Sequence, residues 1–104
     1  MGILSNSDII IYSKEPREAI KKLEQLMMEI SPSNIKSYRT IPYPSFETND
    51  GYIYRALSDE WLFCGRRYFK AYVQKGTDKR ILNQVIMPGL YSLDENIEPE
   101  IIFF

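Results

Sequence analysis

The chain has 104 residues, with 13 Lys and Arg against 14 Asp and Glu, so a formal charge of −1 supplies no global field toward nucleic acid or acidic lipid. A hydrophobic share of 44% beside 26% charged residues excludes a disordered or fibrous chain, and no apolar run approaches the roughly 20 residues of a membrane helix. Cys64 is the only cysteine and there is no histidine, which excludes an intrachain disulfide, His-based acid–base or nucleophile pairs and most zinc sites.

One domain over residues 1–104 in a reducing, cytoplasmic setting is expected. Asn6 stands where a myristoylation motif needs Ser or Thr, so neither lipidation nor export is expected.

Residues 8–12, Asp-Ile-Ile-Ile-Tyr, are β-branched without alternation and predict a central strand buried on both faces. Ser13 or Glu15 can then cap a helix, with Pro16 in the first turn. Ala19, Ile20, Leu23, Leu26, Met27 and Ile30 recur at helical spacing, and Met27-Met28 reads as packing; Pro32 ends the helix near Ile30. Residues 35–41 read as an edge strand, polar on both sides and closed by Pro42 and Pro44. Residues 45–48 and 52–57 flank Asn49-Asp50-Gly51, a hairpin signal, with Tyr52, Tyr54 and Ala56 on one face and Ile53, Arg55 and Leu57 on the other.

Residues 58–63 predict a short helix capped by Ser58, in which Trp61-Leu62-Phe63 is either a core plug or an oligomer contact. A strand over 68–74 follows, then a helix capped by Thr77, carrying Ile81, Leu82, Val85 and Ile86 inward and stopped by Pro88-Gly89. An acidic connection leads to a last apolar strand at 101–104, expected to be buried in the sheet or in a partner. The order β-α-β-β-β-(short α)-β-α-β predicts an α/β fold, a mixed sheet with a parallel centre and right-handed crossovers.

From Phe46 onward, the hairpin signal, Gly65-Arg66, a strand ending Ala71-Tyr72-Val73 and a helix finishing Val85-Ile86-Met87-Pro88-Gly89-Leu90 resemble the middle of a RecA-like P-loop ATPase of the phage terminase type. The resemblance covers most of the chain as a pattern. It implies a Walker B strand where Gln74 and Lys75 replace the acidic pair, and no Gly-rich phosphate loop is present. It therefore implies a phage-encoded protein that has lost ATPase activity and kept the fold for binding.

Arg66, Arg67 and Lys70, helped by Arg55, form a candidate anion pocket, with Lys75 and Thr77 at a helix N-terminus as a second contact and Tyr54 for stacking. The ligand expected is a nucleotide-type anion such as an immune signalling nucleotide, bound without catalysis, cofactor or metal by a homo-oligomer. The same cations can instead pair with Asp59, Glu60, Asp78 or Glu98 in solvated bridges. The alternative function is inhibition of a host defence or transcription protein, through the tyrosine-rich edge strand or the acidic segment 94–100.

Overall fold

In the computed structural model, residues 8–40, 44–58, 67–90 and 98–104 are described. The expected short helix at 58–63, with Trp61, Cys64 and Arg66, lies outside them apart from Ser58, as does most of the acidic connection.

The strands are β1 (Asp8–Tyr12), β2 (Ile35–Arg39), β3 (Ser45–Thr48), β4 (Ile53–Leu57), β5 (Lys70–Val73) and β6 (Glu100–Phe103). They form one sheet in the order β2-β3-β4-β1-β5-β6, in which only β3 runs against the others. This is the α/β mixed sheet with a parallel centre that the element order predicts. β1 lies between β4 and β5, and Ile9 to Tyr12 are all buried, as an apolar run without alternation requires.

Helix α1 (Pro16–Met28) crosses one face of the sheet, burying Ala19, Leu23 and Leu26 against Ile11, Phe46 and Ala56. Its start is fixed by Ser13, whose hydroxyl accepts the Ala19 N–H at 2.8 Å and donates to the Glu15 carbonyl, while the Glu15 side chain caps nothing. Met27 packs against the core but Met28 is 83% exposed, so only the first of the pair is packing.

On the other face a helical segment begins as α2 (Lys79–Ile81), widens into a π turn (Leu82–Ile86) and closes with a 3-10 turn (Met87–Gly89). Pro88 has no N–H to continue an α-helical ladder, and the Met87 N–H reaches back to the Leu82 carbonyl, the wide-turn bond. The cap is Asp78, whose carboxylate accepts the Arg80 N–H at 2.7 Å; Thr77, the expected cap, turns its hydroxyl to the Gln74 carbonyl instead.

The β1-to-β2 and β5-to-β6 connections leave the sheet centre in opposite directions on opposite faces, so both crossovers have the same hand.

Several strand ends differ from expectation. β2 stops at Arg39, and β5 starts at Lys70 because Tyr68 bridges Leu90 rather than extending the strand. β6 is an edge strand, half-buried, with Phe103 49% exposed, so the last apolar run is less covered than its composition predicts.

No helix among the described residues is long and apolar enough to cross a membrane.

Candidate anion site on the polar half of the sheet

The cross-strand registers build the site. Arg39 lies opposite Ser45, Ser45 opposite Arg55, and Arg55 opposite Ile10, which lies opposite Ala71 and then Ile101. One pleat row therefore reads Arg39, Ser45, Arg55, Ile10, Ala71, Ile101, with all these side chains on one face. The apolar half belongs to the cluster beneath the 79–89 segment, where Ile10, Ala71 and Ile86 are fully buried. Over the polar half, on β2, β3 and β4, no described element lies; a notch of about 200 Å³ opens there, lined by Ser37, Arg39, Ser45, Glu47 and Arg55 among others.

Two arginines thus stand two strands apart, roughly 10 Å between backbones, with the small side chain of Ser45 between them. That spacing lets two guanidinium forks lean over one serine hydroxyl. The Arg55 Nε is enclosed and has no hydrogen-bond acceptor among the described residues; its carboxylate neighbour, Asp8 Oδ2, stays at 3.7 Å. A buried donor without an acceptor is costly, and because this nitrogen is closed to solvent an incoming oxyanion would meet the part of the guanidinium that remains exposed. Glu47 turns to Lys36 at 3.6 Å. Among the described residues, Lys36, Arg39 and Arg55 against Asp8 and Glu47 leave one net positive charge around the notch, three cations less two carboxylates.

The residues singled out in the sequence do not converge on one pocket. Arg55 lines the notch, and Tyr54, its neighbour on β4, points to the opposite face, where its ring stacks on Phe46 at 4.5 Å. Lys70 shares that opposite face; its ammonium sits 5.4 Å from the Tyr72 ring and 4.0 Å from Glu100. Arg67 is exposed at the amino end of β5, and Lys75 is exposed at the carboxyl end, its N–H bonded to the Phe104 carbonyl. The length of β5, roughly 10 Å, separates the two. Asp78 already holds a carboxylate at the start of α2, which removes the open helix terminus on which Lys75 and Thr77 were expected to act together. Arg66 lies outside the described residues.

Arg39 and Ser45 escaped the sequence reading. The signal was available, because a hairpin closed at Asn49 to Gly51 fixes Ser45 against Arg55, but Arg39 needs a second register across a proline-rich connection.

Comparison with protein families, with curated proteins and with solved structures returns no match. The geometry alone carries the functional reading. Among the described residues there is no group of three acidic or Cys side chains able to hold a metal ion.

Proposed function

We propose that this chain is a non-catalytic binding protein that takes the phosphate, or a comparable oxyanion, of a nucleotide-type ligand between Arg39 and Arg55 on the polar half of its sheet. The observation carrying this is the notch that Arg55 shares with a second arginine and a serine. The nucleotide part of the proposal, with its phage setting, homo-oligomer and role in sequestering a signalling nucleotide in the host cytoplasm, draws on the resemblance to P-loop ATPases.

Each arginine–phosphate contact contributes about 1.5 to 3 kcal/mol, and each 1.4 kcal/mol is about tenfold in affinity. Titration of pyrophosphate, nucleoside diphosphates and cyclic dinucleotides by calorimetry should therefore give binding that Arg39→Ala weakens roughly ten- to hundredfold. Ser45→Asp places a carboxylate between the two arginines; it should abolish binding while keeping or raising the melting temperature. Undiminished affinity in both variants, or no binding of any phosphate compound by the wild type, overturns the proposal.

A second reading is favoured by β2 itself. It is an edge strand with Lys36, Ser37, Tyr38 and Arg39 all exposed, and it carries two cations and no acid. An acidic extended segment of a host protein could add to this edge by strand pairing. Protection of the β2 amides from hydrogen exchange by a partner, without perturbation of Arg55, would favour this reading over the first.

A further inference from the structure

The opposite face holds a larger cleft, of about 510 Å³, at the end of α1 and the tip of the β3–β4 hairpin, within the size range of small-ligand sites. Its lining includes Asn34, Asn49, Asp50, Tyr52 and Tyr54, and, among the described residues, no lysine or arginine. These residues offer a phosphate no counter-charge.

The hairpin tip is held in shape. Gly51, at φ +95°, donates to the Thr48 carbonyl at 3.0 Å, a backbone conformation that suits glycine. The Thr48 hydroxyl accepts the Tyr52 N–H at 3.2 Å and donates to one Asp50 oxygen. Asn49 ties the tip to the loop after α1, its N–H to the Asn34 carbonyl at 2.8 Å and its amide NH₂ to the Ser33 carbonyl at 2.6 Å.

These bonds use the donors and leave acceptors. The second Asp50 oxygen and the Asn49 side-chain carbonyl have no partner among the described residues. The rings of Tyr52 and Tyr54 complete the wall, and Tyr54 is held there by stacking one face on Phe46. Burial first, then the charges of Tyr72, Asp50 and Tyr52, raise the Tyr54 pKa, so its ring stays a neutral phenol with an electron-rich face.

A carboxylate, a free amide carbonyl and tyrosine faces without a competing cation are the elements that recognise an organic cation. We infer that this cleft binds a small organic ammonium ion, its charge held between Asp50 and the Tyr52 and Tyr54 rings.

The probe is choline, compared with its uncharged tert-butyl analogue, in NMR titrations following the amides of residues 49–54. Choline should shift these amides saturably, the analogue should bind at least tenfold more weakly, and Asp50→Asn should weaken choline at least tenfold. Asp50→Asn also removes a hairpin contact, so Tyr52→Leu, which keeps the Thr48–Asp50 bond, is the second variant; it too should weaken choline severalfold. Equal binding of the two probes would make the cleft merely apolar and overturn the inference. Absence of choline binding, choline binding unchanged in both variants, or saturation of these amides by phosphate would overturn it as well.

Discussion

Tyr68 shows how one side chain can set the geometry around it. It is 1% exposed, and its hydroxyl donates to the Ile86 carbonyl at the end of the π turn. A Cβ placed on Gly89 would stand 2.6 Å from the tyrosine ring, so glycine is required there by close approach rather than by its own torsion angles. Gly89→Ala should cost about 1 to 3 kcal/mol by overpacking. Tyr68→Phe should cost about 1 to 3 kcal/mol by leaving a buried carbonyl unpaired. Burial raises the Tyr68 pKa far above the ordinary tyrosine value of 10, and burial raises that of Tyr54 too. The folded state then keeps protons that the unfolded state releases. The stability that buried Tyr68 contributes is fully present below pH 10 and is lost as pH rises, at about 1.4 kcal/mol per pH unit, and half-exposed Tyr54 adds a smaller loss of the same sign. Urea midpoints from pH 8 to 11 should fall above pH 10, and less steeply in Tyr68→Phe.

At the scale of elements, α1 depends on a residue outside it. The Ser13 hydroxyl is the buried acceptor for the Ala19 N–H, so Ser13→Ala should destabilise by about 1 to 2 kcal/mol, read as a lower melting temperature, whereas Glu15→Ala should change little. The elements themselves were legible because local physics defines them. Three consecutive isoleucines mark the buried β1, helical spacing from Ala19 to Leu26 marks α1, and Asn49-Asp50-Gly51 marks the hairpin. The site was less legible because it depends on pairing. Arg55 was visible as a cation on a strand, but its neighbour Arg39 is 16 positions earlier and meets it only through two successive registers. The residues adjacent in sequence, Tyr54 on β4 and Lys70 beside Ala71, fall on the other face by simple alternation. Thr77 and Asp78 show the same limit over one bond, since either can cap and only the backbone path after Gly76, at φ +85°, decides which does.

At the scale of the molecule, one face of the sheet is divided between an apolar half under the 79–89 segment and a polar half, and the division runs through β4, whose Leu57 joins the apolar cluster while Arg55 lines the notch. Strand β1 has consequences in time. It is the first of the described strands, yet its two neighbours, β4 and β5, end 45 and 61 residues after Tyr12. Pairings so distant in sequence make folding slow relative to helical proteins, because loop closure precedes the reward. A fragment ending after β4 leaves one edge of β1 unpaired and removes Tyr68, Ala71, Val73 and Ile86 from its core; it should show no dispersed amide spectrum. On the ribosome the same arithmetic applies to every copy made. Once the Ile9-Ile10-Ile11 run has been made, about sixty more residues must follow before its second edge is covered, so the nascent chain carries an aggregation-prone strand over that interval.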